Sequence, residues 1–140
     1  MNVRSIGTPA IRDGVERVKY GDITFSGKSG EKYRFHAWPL ETRFKPLAAV
    51  YFVTKRAFEN STYRRASHDN IYIGQTANLA DPFATQSQFD CLRKHGANCI
   101  CVYPVEGEEQ RIAVEQDLIS AHSTHCNQQQ RIARLFAPVE

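Results

Sequence analysis

Long apolar runs, internal repeats and low-complexity tracts are all missing from this sequence. No window approaches the roughly 18 consecutive apolar residues of a membrane-spanning helix, so we expect no contact with a membrane. Residues 1–5 lack the apolar run of a secretory signal, which makes a cytoplasmic location the default expectation. A phosphate-binding P-loop is missing too, because Gly27-Lys28-Ser29-Gly30 has neither the glycine spacing nor the following helix. A nucleotide-hydrolysing motor is therefore excluded.

Cysteine is scarce, with four in the chain: Cys91, Cys99, Cys101 and Cys126. In a reducing compartment these residues are expected as free thiols rather than disulfides. Cys91 and His95 are one helical turn apart and offer a nucleophile and a base. No third residue to orient the base is apparent, which favours an ordinary thiol at Cys91.

Soft zinc ligands are present as Cys99, Cys101, His122, His125 and Cys126. Their spacing is not that of a standard zinc finger. The first two cysteines should share one strand face, whereas the two histidines near a helix end need not converge on that face. Structural zinc is therefore not expected.

Charge is divided unevenly along the chain. Residues 1–66 hold 13 Lys and Arg against 6 Asp and Glu, a net of +7, whereas residues 67–140 hold 5 against 9, a net of −4. Such an asymmetry indicates a polyanionic partner, and we expect nucleic acid, in the form of DNA. A solvated surface of ordinary lysines is the alternative. The residues expected to contact nucleic acid are Lys55, Arg56, Arg64, Arg65 and Arg93.

The 140 residues, 41% of them hydrophobic, fit one domain with a single core. In the first half of the chain, periodicity and turn chemistry predict an irregular arm over 1–15, a β-hairpin over 18–37 ended by Trp38-Pro39, and a central strand over 48–54. A basic loop over 55–70 and a short strand over 71–74 follow. The second half is predicted to hold a helix of about 12 residues between Asp81-Pro82 and Gly96, a strand over 99–103, a helix over 108–123 and a short helix over 128–135. The predicted fold is a small α/β (α+β) domain in which a mixed, mainly antiparallel sheet is flanked by helices. Residues 1–46 are expected to form an arm and a hairpin that extends the sheet or makes a separate flap, and residues 47–140 the main domain.

A carboxylate occupies an unusual position on the helix over 108–123. At about 100° per residue, Glu115 and His122 fall inside the apolar arc that Ile112 and Leu118 help to define. A buried glutamate is costly unless something compensates its charge. One interpretation is a structural carboxylate paired with His122 or an arginine. The other is a metal ligand or catalytic carboxylate on the floor of a cleft.

Two tyrosine motifs precede this helix. One is Tyr72-Ile73-Gly74, and the other survives as Ala49-Val50-Tyr51. The glutamate motif covers 113–119, and Asn127 follows it after Cys126. Together with the order strand, strand, helix, strand, helix over 48–127, these residues resemble the GIY-YIG nuclease family. The N-terminal hairpin lies outside the part that carries the resemblance.

The resemblance implies hydrolysis of a nucleic-acid phosphodiester bond with one divalent cation, Mg²⁺ or Mn²⁺. Carried over residue by residue, it makes Glu115 the metal ligand and Tyr51 the residue that activates or orients the water, supported by Tyr72. This assignment is physically consistent. A bound cation polarises the phosphate, and it makes it easier for a nearby phenol to ionise to the phenolate.

Pro82 departs from the family pattern, because it stands where the family has an arginine on the first turn of the helix after the second tyrosine motif. Loss of such a fixed cation typically costs about 10²-fold or more in rate. Lys55, Arg56 or Arg93 are the possible surrogates in space. Two functions are therefore expected: a divergent metal-dependent endonuclease, or a catalytically impaired domain that binds nucleic acid or another protein.

Overall fold

The fold is a five-stranded sheet with one helix packed on each face. The computed structural model describes residues 18–60, 65–83 and 86–127. Its elements are β1 (Gly21–Ser26), β2 (Lys32–Pro39), β3 (Ala49–Asn60), β4 (Arg65–Thr76), α1 (Gln86–Lys94), β5 (Cys99–Pro104) and α2 (Glu108–Ala121). The strands lie in the order β1-β2-β5-β3-β4, and every strand pair in these residues is antiparallel. This confirms the predicted small α/β domain with a sheet flanked by helices.

Some predictions fall outside the described residues: the arm over 1–15, the short helix over 128–135, and Arg64. Neither α1 nor α2 is long and apolar enough to cross a membrane.

The N-terminal hairpin forms as predicted and extends the sheet. β1 pairs with β2, and β2 pairs in turn with β5, so the hairpin is not a separate flap. Phe25 and Phe35 point into the core from these two strands. Pro39 is the last residue of β2, as expected of a residue that cannot donate to the next ladder.

The core has two layers because successive strand residues point to opposite faces of the sheet. On one face Tyr51 and Val53 of β3 pack beneath α1. On the other face Val50 and Phe52 pack against Leu118 of α2. Burial on both faces explains why the start of β3 is a continuous apolar run rather than an alternating one.

The basic loop predicted over 55–70 is wrong. β3 continues to Asn60 and β4 begins at Arg65, so Arg65 lies in a strand. Lys55 stands opposite Asp69 across this pair, which places opposite charges side by side. Cross-strand pairs of this kind stabilise polar strands, and apolar periodicity does not detect them.

The first helix begins later than predicted. α1 starts at Gln86, and Pro82 lies in a segment without helical structure rather than in a first helical turn. Tertiary contacts hold this segment. The Pro82 carbonyl accepts a hydrogen bond from Tyr51, and the Phe83 ring packs edge-on against the same tyrosine. Local helix-start chemistry is overridden by these contacts.

The end of α1 agrees with the prediction. Gly96 adopts the left-handed conformation, with φ of 77°. Its N–H donates to the carbonyl of Arg93, and the N–H of Ala97 donates to the carbonyl of Leu92. These two bonds form a Schellman motif, in which glycine avoids the strain of a left-handed residue with a side chain.

The second helix agrees with its predicted bounds but not with its predicted buried face. Leu118 is fully buried, whereas Ile112, expected in the apolar arc, is 42% exposed. Arg111 is buried in its place, at 5% exposure. Its guanidinium donates to Gln75 Oε1 at 2.9 Å and to the Glu106 carbonyl at 2.6 Å. A buried charge is tolerated when its donors are satisfied, and hydrophobicity does not reveal those partners.

Cys91 and Cys126 form a disulfide, so the expectation of four free thiols is wrong. The two Cα atoms lie 6.0 Å apart across a sequence separation of 35. The fold brings α1 next to the residues that follow α2, and sequence spacing alone does not show this proximity. Cys99 and Cys101 are free and buried.

Candidate functional site

Two phenol rings meet above a glycine at the junction of β3 and β4. Tyr51 and Tyr72 lie on the same face, with ring centroids 6.0 Å apart. Gly74 stands opposite Tyr51 in the strand register. A Cβ on Gly74 would lie 2.7 Å from Tyr51 Oη and 2.7 Å from Tyr72 Cε2. The glycine of this motif therefore provides the space that both tyrosines occupy.

Both tyrosines are held by contacts with the α1 side of the molecule. Tyr51 is 1% exposed and Tyr72 is 9% exposed. The Tyr51 phenol donates to the Pro82 carbonyl at 3.1 Å, and the Phe83 ring lies edge-on to it at 5.6 Å. Gln88 of α1 donates from Nε2 to Tyr72 Oη at 3.1 Å. The two hydroxyls are thus fixed in direction.

Glu115, on the second helix, acts electrostatically on Tyr51. It is partly buried on α2, which packs against β3 and β4. Burial, and then the neighbouring Tyr72 and Glu115, hold the pKa of Tyr51 well above its usual range. A phenol with a raised pKa is protonated at neutral pH and acts as a hydrogen-bond donor. A nearby cation would be needed to make it a base.

Asn127 fixes the backbone next to Tyr72. Its Oδ1 accepts from the Ile73 N–H at 2.6 Å, and its Nδ2 donates to the Ile73 carbonyl at 2.9 Å. Thr124 Oγ1 donates to the same Oδ1 at 2.6 Å. Two hydrogen bonds to one residue fix both the position and the orientation of the strand. Asn127 is therefore a positioning residue for the second tyrosine motif.

The expected cations Lys55, Arg56 and Arg93 have partners or positions away from the two tyrosine rings. Lys55 is exposed and lies over Gly96, where a positive charge suits the C-terminal end of α1. The Arg56 guanidinium lies 4.1 Å from the centre of the Tyr20 ring, a cation–π contact. Arg93 is exposed in the last turn of α1. Arg65 lies in β4, as described above.

Arg43 is a cation near this site that was not foreseen. Together with Pro82 and Phe83 it lines a cavity of about 210 Å³. These are the two residues that contact the Tyr51 ring and hydroxyl. Arg43 precedes the tyrosine motifs in sequence, in a segment between strands, so motif spacing gives no signal for it. Its place in the basic half of the chain is the only indication that the sequence offers.

The set of zinc ligands considered from the sequence is not brought to one place. Cys99 and Cys101 are buried with their Sγ atoms 4.0 Å apart, and His68 is the third potential ligand beside them. His122 instead packs edge-on against two phenylalanine rings, one on β1 and one on β3. Cys126 lies in the disulfide.

Comparison with protein-family models, curated proteins and solved structures finds no match to this chain. In the described residues, β3 and β4 supply two buried phenols, of which Tyr51 has a raised pKa, and α2 supplies the partly buried carboxylate of Glu115.

Proposed function

We propose that this chain is a divergent endonuclease of the GIY-YIG type, which hydrolyses phosphodiester bonds of nucleic acid with one divalent cation, Mg²⁺ or Mn²⁺. The observation that supports the proposal most is the pairing of Tyr51 and Tyr72 over Gly74, with Glu115 of α2 contributing to the raised pKa of Tyr51. These groups come from three elements. Packing alone does not call for a partly buried carboxylate on the helix that packs against β3 and β4, because its desolvation is unfavourable.

The donor set of this site fits a hard cation. Mg²⁺ prefers oxygen ligands and usually keeps several waters. One carboxylate from the protein and one phosphate from the substrate are therefore enough to bind it. Glu115 is only partly buried and would hold the ion. The ion would polarise the phosphate and stabilise the leaving oxygen. Tyr51 would orient the attacking water, and Tyr72, itself held by Gln88, would support it.

A second function is favoured by the environment of Tyr51. Its hydroxyl is engaged with the Pro82 carbonyl, and its ring is 1% exposed, so a water must displace that contact to reach it. Pro82 also leaves the expected position of the family arginine without a charge. These two observations favour a catalytically impaired domain that binds nucleic acid or another protein.

The first experiment incubates plasmid and branched DNA with the protein in Mg²⁺ or Mn²⁺. Glu115→Ala is compared with Gln116→Ala, which alters the exposed neighbour on the same helix. An endonuclease should keep its cleavage in Gln116→Ala and lose about 10²-fold or more in Glu115→Ala. A wild type that shifts DNA on a gel without cleaving it would establish the binding function. A wild type that neither cleaves nor shifts DNA would favour the remaining function, binding of another protein.

The second experiment restores the missing charge with Pro82→Arg. The acceptor for Tyr51 is the backbone carbonyl of residue 82, so the substitution retains this hydrogen bond. If the lack of a cation limits the rate, cleavage should rise by about 10-fold or more, while Pro82→Ala should not raise it. An unchanged rate means either that Arg43 already supplies the missing positive charge or that the site no longer has catalytic activity and is a relic. Mg²⁺ binding that depends on Glu115 would distinguish these, because a relic binds no metal there.

Nucleic-acid binding is tested by salt and by one lysine. Neutralised phosphates release counterions, so the affinity should fall steeply between low and physiological salt. Lys55→Ala should weaken binding to every sequence about equally, because a lysine–phosphate contact reads no bases. Lys32→Ala, at the exposed start of β2, is the matched control. An affinity that hardly changes with salt would argue for a protein partner.

A further inference from the structure

Two cysteines and two histidines converge where the end of α1 meets the residues after α2. We name this group the Cys–His cluster: Cys91, His95, His125 and Cys126. Cys91 lies on α1, and His95 directly follows the helix one turn later, with its N–H donating to the Cys91 carbonyl at 3.2 Å. His125 and Cys126 approach from the residues that follow α2.

The ligand atoms of three members of this cluster are close enough for one metal ion. The potential ligand atoms of Cys91, His95 and Cys126 all lie within 4.8 Å of one another. Ligand atoms around a tetrahedral zinc are about 3.3–3.8 Å apart, given Zn–S of about 2.3 Å and Zn–N of about 2.0 Å. Small side-chain rotations therefore complete the approach once the disulfide is reduced.

His125 is the candidate for the fourth ligand, and its ring must turn out of its stack on His95 to point a nitrogen at the same ion. Its ring is stacked on His95, with centroids 4.2 Å apart and planes 7° from parallel. Its Nε2 lies 3.3 Å from both carboxylate oxygens of Asp69. A metal-bound histidine usually donates its second ring N–H to a carboxylate in this way. Asp69 therefore leaves Nδ1 of His125 as the nitrogen for the metal.

We propose that the reduced protein binds one Zn²⁺ through Cys91, His95, His125 and Cys126, and that the disulfide is the oxidised form of this same site. A phosphine or dithiol reductant gives two electrons to the Cys91–Cys126 bond, and the two sulfurs take up two protons. Zn²⁺ then displaces these two protons and binds both thiolates. Two thiolates and two imidazoles are a ligand set that selects zinc over magnesium or calcium.

The other group of potential ligands is less suited to a metal. Cys99, Cys101 and His68 offer three ligands, and both cysteines are 0% exposed. His68 Nδ1 is already engaged with Thr54 Oγ1 at 2.9 Å. Three ligands do not close a structural zinc site, so this group serves as the internal control.

The proposed site is independent of the endonuclease proposal, but it connects to the strand that carries Tyr72. Cys126 directly precedes Asn127, whose amide holds Ile73. Either a disulfide or a zinc ion would join Cys126 to Cys91 of α1. When the thiols are reduced without metal, this connection is lost, and we expect the Ile73 amide to exchange faster with solvent.

The test uses the full chain reduced with a phosphine, which binds zinc weakly, and titrated with Zn²⁺ and with Co²⁺. We expect one metal per chain, sub-micromolar affinity, and Co²⁺ absorption typical of tetrahedral thiolate coordination. The oxidised protein should bind none at this affinity, and denatured alkylation should then modify only the two free cysteines of the four. Reduced protein that binds no zinc would overturn the proposal.

Variants assign the ligands. His95→Asn keeps both thiols, so its fold can be checked in the oxidised form, and it should lose the tetrahedral Co²⁺ spectrum. Asp69→Ala should weaken zinc binding about 10–100-fold by removing the partner of His125. Cys99→Ala/Cys101→Ala should keep one zinc per chain. Loss of zinc in that control, with retention in His95→Asn, would assign the metal to the other group and refute the Cys–His cluster.

Discussion

Replacing Gly74 by alanine tests whether the two tyrosines are packed as described. The new Cβ would meet Tyr51 Oη at 2.7 Å, Tyr51 Cζ at 2.8 Å and Tyr72 Cε2 at 2.7 Å. These are rigid ring atoms, so one ring must move or the strands must separate. Overpacking of this kind costs about 1–3 kcal/mol. The lower entropy of the unfolded alanine variant offsets at most about 1 kcal/mol of that cost.

The expected net loss in the free energy of unfolding is about 1–2 kcal/mol, which lowers Tm by about 3–8 °C for a domain of this size. Urea unfolding followed by circular dichroism measures the loss. Gly107→Ala is the matched control, because its backbone φ of −74° suits alanine and the atoms nearest to its Cβ belong to the flexible Gln110 side chain. We expect that control to cost well under about 1 kcal/mol.

A double-mutant cycle locates the cause. A Tyr51→Leu background removes two of the three close contacts and leaves the one to Tyr72, so Gly74→Ala should cost about 1 kcal/mol less than in the wild type. If Gly74→Ala costs no more than Gly107→Ala, or the same in both backgrounds, the packing of the phenols over the glycine is refuted.

Three further predictions concern other contacts. Asn127→Ala should destabilise the chain by about 1–3 kcal/mol in urea unfolding, because it leaves the N–H and C=O of Ile73 without their partner. Asn127→Asp keeps only the acceptor, so its stability should lie between those of the wild type and Asn127→Ala. Equal losses in the two variants would contradict this reasoning. A hydrogen bond from the Lys19 ammonium holds the pKa of Asp22 at about 2. The ionised carboxylate should therefore add about 1 kcal/mol, after solvent screening, to the free energy of unfolding above pH 4, and this contribution should be lost as the pH falls through 2. Asp22→Asn should remove this pH dependence from urea unfolding. Burial and then the bond to Asp117 raise the pKa of Tyr33 to about 12, so Asp117→Asn should move one tyrosinate absorbance transition to lower pH; an unchanged titration curve would exclude this contact.

Sequence patterns predict best the elements whose burial is decided locally. β5 and α2 lie within two residues of their predicted bounds, because apolar runs and Gly or Pro breakers delimit them. The hairpin of β1 and β2 follows the same logic. The outer halves of β3 and β4 were missed because charge pairing across strands, such as Lys55 with Asp69, has no apolar period.

The candidate site was predictable only as a set of residue types. The sequence singles out Tyr51, Tyr72 and Glu115; in the structure the two tyrosine rings pair, and Glu115 of α2 contributes to the raised pKa of Tyr51. Their environment was not predictable, since the hydrogen bond from Tyr51 to the Pro82 carbonyl depends on a segment folded by tertiary contacts. Arg111 shows the same limit. Its burial depends on partners at residues 75 and 106, which no helical wheel contains.

The side chain of Asn127 also has a consequence for self-association. β4 is the outermost strand of the sheet beyond β3, and an exposed outer strand is a template on which another chain can add by backbone pairing. Asn127 already occupies the outward N–H and C=O of Ile73, as a peptide group of a further strand would. One amide therefore caps this strand close to its C-terminal end. Its loss should leave a free edge, so that Asn127→Ala forms dimers or aggregates at concentrations where the wild type is monodisperse.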